Sequence, residues 1–480
     1  MLTAMKIPSP NPFCWLVLAM LLPPPDVGAA SDYAVVVSAQ TADDAGWHAV
    51  VKTLVTKHHG TVIMFTNSVD EALPALQKQF PRYACFVAQP EEATPQFVAE
   101  VHRLTRKLDD DPYPDCFWGI LTGYGSTNAL AIARQSAPLT IRKVAGATAI
   151  AMDMIEEGVT FDELVKNKSV QKEKGGLAKE VKCPDDTTAS LVNELNAGQP
   201  DLFVASGHAS EHNWMLGYRY ANGFFKHQGG QLYGEDTHQR KFPVVSPNPK
   251  VFMPVGNCLT GRITGPDCMA TAWMNSAGVC QMLGYTVTSW YGYAGWGVLD
   301  YFVEQPGRYT FNEAFFANQV ALIYRLKTYF PELLDKDSDD HLSIVVGAAA
   351  KAAGLTAEDA RGLLYDRDVV AFYGDPAWEA RMAARPKFFE QTLTEKKGTF
   401  TFEIKPNRGA DSFKPVNSNG SQRGGRPFIA FFPGRLGDVK ILEGVELNPV
   451  ITDNFILVPN PDHCDASKKY RVVFNASPLH

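Results

Sequence analysis

The sequence lacks the features of a nucleic-acid-binding, fibrous or disulfide-built protein. Lys and Arg number 45 against 52 Asp and Glu, so the formal charge is −7 and nucleic acid is not expected as a partner. The 38 glycines and 32 prolines in 480 residues are close to average usage, which excludes a collagen-like or broadly disordered chain. Eight cysteines are too few for a disulfide framework, but a chain of this length buries hydrophobic cores without one.

The sequence also has no apolar run of the length that spans a bilayer, about 20 residues. Residues 13–22 (FCWLVLAMLL) form an apolar run of ten, followed by three prolines and the small residues Gly28, Ala29 and Ala30. This order is typical of a signal peptide over residues 1–30, with a short membrane anchor or a buried segment as the alternative. We therefore expect a mature chain without a transmembrane segment that is secreted, periplasmic or on the cell surface. Loss of Cys14 leaves seven cysteines, so at least one cannot pair within the chain.

Apolar runs alternate with helical stretches over the first 386 residues. Runs that predict buried strands lie at 33–38, 61–66, 84–88, 116–121, 201–206, 251–255, 279–287 and 369–373, and helical spacing appears at 47–57, 97–108, 191–195 and 311–329. The run at 279–287 contains a glycine and is long enough for a helix as the alternative. The alternation predicts an α/β fold with a doubly wound parallel sheet. We divide it into an N-terminal subdomain, residues 31–150, and a second subdomain that carries the candidate chemistry, residues 151–386. The lysine-rich segment 166–182 is predicted to be an exposed, protease-sensitive loop.

The pattern changes in residues 387–480. Short strand-like runs at 399–404, 428–432, 454–458 and 470–474 are separated by Pro, Gly and Asn, with no helical period between them. This predicts a separate all-β sandwich domain, in which residues 417–425 form a loop.

Two reactive side chains follow predicted strands of the second subdomain. His208 comes after the strand at 201–206, and Cys258 comes after the strand at 251–255. Ligands of parallel α/β sheets bind beyond the carboxyl ends of the strands. A thiol and an imidazole in that position can transfer an acyl group through a thioester. The structural alternative is that Cys258 is a small apolar residue or half of a disulfide and that His208 belongs to a turn.

Three segments and their order resemble one known family. They are residues 203–210 (FVASGHAS) with Trp214 after them, residues 253–261 (MPVGNCLTG), and residues 372–376 (FYGDP), followed by the predicted β-sandwich. Together they resemble the gingipain-type cysteine peptidases, in the wider group of caspases, legumain and clostripain. The resemblance implies a caspase-like core followed by an immunoglobulin-like domain, and an endopeptidase that acts on protein or peptide substrates without a cofactor. It also allows a structural calcium ion.

The resemblance also implies residue roles. Cys258 would be the nucleophile, His208 the general acid and base, and the backbone N–H groups of Ala209 and Cys258 the oxyanion donors. Gingipains have glycine where this chain has Ala209, and residues 121–124, which match the family's acidic segment, contain no carboxylate. These differences support an alternative function, a catalytically impaired relative that acts as a binding or surface protein.

Other residues have both a functional and a structural interpretation. His208 and His212 match the zinc motif His-x-x-Glu-His, so a zinc hydrolase is a third candidate. Asp375 is expected to form a turn. Arg262 either favours an acidic substrate group or is a surface charge. Four aromatic residues could line the cleft or belong to the core: Trp290, Tyr291, Tyr293 and Trp296.

Overall fold

The computed structural model describes residues 32–337, 343–461, 463–465 and 467–479. The predicted signal peptide, including Cys14, lies outside the described residues. Within the described residues, no helix combines the length and the apolar character needed to cross a membrane.

The described chain contains twenty-five strands. They are β1 (Tyr33–Ser38), β2 (Thr61–Phe65), β3 (Tyr83–Val87), β4 (Phe117–Leu121), β5 (Leu139–Ile141), β6 (Lys143–Ala147), β7 (Glu157–Phe161), β8 (Lys168–Lys172), β9 (Lys179–Lys182), β10 (Leu202–Ala205), β11 (Asn213–Met215), β12 (Phe224–Gln228), β13 (Gln231–Glu235), β14 (Lys241–Pro243), β15 (Lys250–Pro254), β16 (Val279–Tyr285), β17 (Val370–Tyr373), β18 (Ala380–Met382), β19 (Phe389–Lys396), β20 (Thr399–Pro406), β21 (Phe428–Phe431), β22 (Leu436–Glu443), β23 (Val450–Ile451), β24 (Phe455–Val458) and β25 (Tyr470–Pro478).

The α-helices are mostly short and lie between these strands. They are α1 (Ala39–Asp43), α2 (Ala45–His58), α3 (Leu73–Gln79), α4 (Pro95–Leu104), α5 (Ser126–Ala133), α6 (Thr188–Asn193), α7 (Met269–Ser276), α8 (Tyr293–Phe302), α9 (Phe311–Tyr329), α10 (Ala348–Ala352) and α11 (Ala357–Asp366). The longest, α9, begins with a capping box in which Thr310 and Glu313 each bond the other's backbone N–H.

Twelve strands form one large, mostly parallel sheet, in the order β2-β1-β3-β4-β17-β16-β15-β10-β6-β7-β8-β9. The α/β fold predicted from the sequence is confirmed, because the predicted apolar runs are strands of this sheet. Central strands such as β1, β4, β10 and β15 are buried along their whole length, as expected for strands covered on both faces. The sheet includes strands from both predicted subdomains.

The two halves of this sheet run in opposite directions. β17 pairs in parallel with β4 but antiparallel with β16. The carboxyl ends of β1, β3 and β4 therefore lie at one end of the strands. The carboxyl ends of β6, β7, β10, β15 and β16 lie at the other end, which we call the upper end.

Residues 166–182 do not form the predicted loop. β8 and β9 make an antiparallel hairpin at the edge of the large sheet, next to β7. The prediction was wrong because lysines are compatible with an edge strand, where a charge blocks further pairing. The edge strand is β9, whereas Lys172 of β8 is buried and its Nζ donates to the carbonyls of Met152 and Ile155, both at 2.9 Å.

The C-terminal residues from Phe389 onward form two antiparallel sheets, β19-β20-β25-β22 and β21-β24-β23. Side chains of both sheets, among them Phe402 of β20 and Ile456 of β24, share an apolar cluster of their own. Neighbouring residues of β21 alternate: Phe428 belongs to this cluster, whereas Ile429 belongs to the core of the large sheet. The C-terminal unit therefore packs on the α/β core through one face of its smaller sheet. An immunoglobulin-like topology stays a prediction.

Candidate active site

His208 and Cys258 are brought together by the pairing of two neighbouring strands. β10 and β15 pair in parallel, with Leu202 opposite Val251, so the residues that follow them meet at the upper end. Both side chains line one cleft of about 510 Å³, a size typical of ligand sites. Between them in sequence, β11 to β14 form a small antiparallel sheet that occupies the intervening residues.

The turn after β10 depends on a glycine. Gly207 has φ of 133°, and a Cβ at that position would lie 2.8 Å from the carbonyl oxygen of Met215. The Met215 N–H donates to the His208 carbonyl at 2.8 Å, which fixes the backbone of the histidine. The exposed imidazole stacks on Tyr218, with ring centroids 4.5 Å apart and an interplanar angle of 23°.

Cys258 differs from the other cysteines in its environment. Of the seven cysteines in the described residues, none forms a disulfide, and only Cys258 is partly exposed. Its Sγ lies 3.7 Å from the carbonyl oxygen of Ser289. Burial raises the pKa of Cys116 to about 12 and that of Cys280 to about 11, so those thiols are protonated and shielded at neutral pH.

Two backbone N–H groups at the site lack a partner. In the described part of the chain, neither the Ala209 N–H nor the Cys258 N–H donates to a protein acceptor. Ala209 is also not among the described residues with a positive φ, so alanine causes no backbone strain there. The conformation that requires glycine lies two positions earlier, at Gly207. The arrangement leaves both N–H groups available to an oxyanion.

Glu163 is a cleft residue that the sequence analysis missed. It follows β7 at the upper end, is almost fully buried and lines the same cleft as His208 and Cys258. Burial raises its pKa, against a hydrogen bond of 2.7 Å donated by Thr148 to Oε1. Its Oε2 has no hydrogen-bond partner in the described residues. The available signal was the acidic pair Asp162-Glu163 directly after a short stretch in which Val159 and Phe161 flank Thr160.

Residues 121–124, which match the family's acidic segment, lie at the end of the sheet opposite to Cys258. They include the last residue of β4 and the turn after it, and β4 runs opposite to β10 and β15. Tyr124 instead packs against Gly230, and Asn128 donates to the Met274 carbonyl at 3.1 Å, both away from the cleft. A carboxylate at 121–124 would not reach Cys258, so its absence says nothing about catalysis.

The predicted cleft aromatics divide into two pairs. Trp290, 45% exposed, and Trp296 line the cleft. Tyr291 and Tyr293 belong to the core: the Tyr291 hydroxyl donates to Asp359 at 3.0 Å, and the Tyr293 ring packs under a guanidinium of the C-terminal unit. Arg262 does not line the cleft.

The residues of the zinc motif are not arranged for a shared metal ion. Residues 208–212 form a turn instead of the helix that would place His208 and His212 on one face. His208 stacks on Tyr218, whereas the Nδ1 of His212 lies 3.3 Å from the Nε2 of His227.

One group in the described residues has the ligands that calcium prefers. Carboxylate oxygens of Asp109, Asp111 and Asp115 lie within 4.8 Å of one another, before β4 and away from the cleft. Burial raises the pKa of Asp111 to about 6 and that of Asp115 to about 9, which a bound cation would reverse. The structural calcium ion that the resemblance allows, without naming its ligands, remains a prediction.

No protein family and no curated protein matches this sequence. Two solved structures are similar to the chain. One, the structure of a protease, has 11% identity and a TM-score of 0.42, over 93% of this chain and 97% of that chain. The other is the complex of the Porphyromonas gingivalis RgpB pro- and mature domains, with 12% identity and a TM-score of 0.43, over 93% of this chain and 100% of that chain.

Proposed function

We propose that this protein is a secreted cysteine endopeptidase of the gingipain type, with Cys258 as the nucleophile and His208 as the general acid and base. One observation carries the proposal: the only partly exposed thiol among the described residues and an exposed imidazole follow paired strands and line one cleft. The unpartnered N–H groups of Ala209 and Cys258 support it.

The reaction would follow from these groups. The Cys258 thiol loses its proton to His208, and the sulfur forms a bond to the carbonyl carbon of a peptide. The Ala209 and Cys258 N–H groups hold the oxyanion. The bond from carbon to nitrogen breaks as His208 gives its proton to the leaving amine. Water, activated by the same imidazole, then hydrolyses the thioester and frees the thiol.

Trp290, one of the two tryptophans that line the cleft, offers a contact for the substrate. Trp290 is exposed beside Ser289, whose carbonyl oxygen lies near the Cys258 sulfur. A large rigid side chain in this position gives contact area at low conformational cost. It suits an extended peptide that passes along residues 288–290 towards the thiol.

The decisive experiment uses a peptide acyloxymethyl ketone with a biotin tag on the purified mature chain. We expect a single label at Cys258, and no label in Cys258→Ala. Cys116→Ala, which removes a buried thiol, is the matched control and should label as the wild type does.

Three outcomes separate the candidate functions. Labelling at Cys258 together with cleavage of a peptide library supports the peptidase. Binding of peptides without labelling or turnover indicates the impaired relative. One zinc per chain with chelator-sensitive hydrolysis indicates the zinc hydrolase and overturns the proposal.

A further inference from the structure

A loop of the C-terminal unit reaches the cleft. Residues 415–426, which we call the 415–426 loop, lie between β20 and β21. The tip of the loop, Asn419, Gly420 and Ser421, lines the same cleft as His208 and Cys258.

Two buried arginines anchor this loop to the end of α8. Arg423 Nε lies 2.6 Å from Asp300 Oδ1, and its Nη2 pairs with Glu304. Arg426 Nε lies 3.0 Å from Asp300 Oδ2. All four side chains are at most 6% exposed. Breaking such a buried network leaves uncompensated charge, so the loop is held in one position.

Backbone groups complete the anchor. The N–H groups of Val416 and Asn417 donate to the Glu304 carboxylate at 2.9 and 3.1 Å, and the Gly424 N–H donates to Asp300 at 3.1 Å. These bonds lie on both sides of the tip. The tip is therefore a fixed wall and not a mobile flap.

The tip packs closely on residues of the cleft. Gly420 has φ of 102°, and a Cβ there would lie 2.3 Å from the Trp296 ring. Asn419 Nδ2 donates to Thr148 Oγ1 and to Glu163 Oε1, each at 3.3 Å. The loop thus contacts both Trp296 and the buried carboxylate of Glu163 in the cleft.

We infer that the C-terminal unit completes the substrate site, with the tip of the 415–426 loop as a rigid wall that limits which substrates reach Cys258. The inference rests on the proposed function for its substrate, a peptide. The wall itself does not depend on turnover. Ser421 is exposed at this wall, so a larger side chain there would fill the cleft and not the protein core.

Two serines of the loop give a matched test. Ser421 lines the cleft, whereas Ser418 is exposed and does not line it. We compare Ser421→Phe with Ser418→Phe. The rate of Cys258 alkylation is measured with iodoacetamide, a small reagent, and with fluorescein maleimide, a large one. Peptide turnover is measured in parallel.

The inference predicts a size-dependent effect of Ser421→Phe alone. Alkylation by fluorescein maleimide should slow about tenfold, or about 1.4 kcal/mol in the barrier, because a phenyl ring in the cleft obstructs the large reagent. The rate of alkylation by iodoacetamide should stay within about twofold of the wild-type rate, or about 0.4 kcal/mol in the barrier, since this small reagent still passes the new side chain. Ser418→Phe should match the wild type with both reagents. Equal maleimide rates for the two variants would overturn the inference.

Turnover distinguishes this inference from the proposed function. If the wild type cleaves no peptide but the maleimide rates of Ser421→Phe and Ser418→Phe differ, the peptidase proposal is wrong and the inference about the loop is supported. If Ser421→Phe and the wild type cleave peptides with the same kcat/KM, and their maleimide rates agree, the inference about the loop is wrong and the peptidase proposal is supported. Thermal unfolding of both variants checks that the fold is unchanged.

Discussion

The cleft and the surroundings of Asp375 both gather polar side chains next to the large sheet, but they satisfy them differently. Asp375 is 1% exposed and is surrounded by partners: Lys57 Nζ at 2.6 Å, His58 Nε2 at 2.7 Å and the Tyr33 hydroxyl at 2.8 Å. In the cleft, the imidazole of His208 stacks on a tyrosine, Glu163 has a carboxylate oxygen without a partner, and two N–H groups are unused.

This difference separates a structural from a functional polar cluster. A buried charge whose bonds are all made is costly to leave without its partners and has no capacity left for a ligand. Groups left partly unsatisfied at an open cleft gain their partners from a substrate. The Gly-Asp-Pro segment, which the sequence analysis expected to form a turn, does so: Asp375 accepts the Ala377 N–H at 3.0 Å. It also fixes the position of α2.

The largest effect is expected at the cleft. Cys258→Ala and His208→Ala should each lower peptide turnover by about 10³-fold or more, because general acid–base catalysis alone contributes 10²–10⁴. Their urea midpoints should stay close to that of the wild type. A near-normal kcat in either folded variant contradicts the assignment.

Alkylation of the native protein is expected to be selective. Brief, substoichiometric iodoacetamide should label Cys258 before the other six described cysteines, which are buried. Activity should fall in proportion to the label. Peptide mapping that places the first label on Cys116 or Cys280, or finds Cys258 in a disulfide, would contradict the comparison between exposed and buried thiols.

A smaller effect, on stability, is expected at the buried cluster. Asp375→Asn should lower the free energy of unfolding by about 3 kcal/mol, since it leaves Lys57 and His58 without a buried counter-charge. Activity per folded molecule should be retained. Asp185→Asn is the control: its pair with Lys166 is exposed on both sides, and breaking it should cost under about 1 kcal/mol.

The smallest effect is expected in how the free energy of unfolding depends on pH in acid. Burial opposes ionisation of Asp375, but the bond from His58 and the charge of Lys57 lower its pKa to about 2, below the usual 3.8. The folded state therefore binds the proton less tightly than the unfolded state. The stabilisation is full above pH 4 and is lost as the pH falls towards 2. Urea titrations between pH 5 and 2 should show a shallower decline in Asp375→Asn than in the wild type.

The sequence predicted the elements better than their arrangement. Buried parallel strands such as β10 and β15 are continuous apolar runs, so their positions and the residues that follow them were readable. The opposite direction of the two half-sheets was not, because it is set by the single strand β17, far along the chain. The resemblance therefore pointed to residues 121–124, after β4, as the acidic segment. The carboxylate near Cys258, Glu163, follows β7 and was missed.

The contact between the C-terminal unit and the cleft was also beyond local reasoning. Residues 417–425 were correctly predicted to lack regular structure. The arginines that anchor this loop pair with Asp300 and Glu304, more than a hundred residues earlier. No local pattern marks such a pair. The short apolar runs of β21 and β24 indicated strands, but not which residues would cover their two faces.

The place of β17 has a consequence for how the protein is made. This strand joins β4 to β16, yet it is synthesised roughly 250 residues after β4, and such long-range pairing is slow to form. Until residue 373 leaves the ribosome, β4 and β16 each present an open strand edge. The nascent chain would fold as two separate half-sheets, and the arrival of β17 would join them in one late step. His208 and Cys258 lie within the half completed second, so these two residues can come together before the sheet is closed, whereas the 415–426 loop reaches the cleft only afterwards.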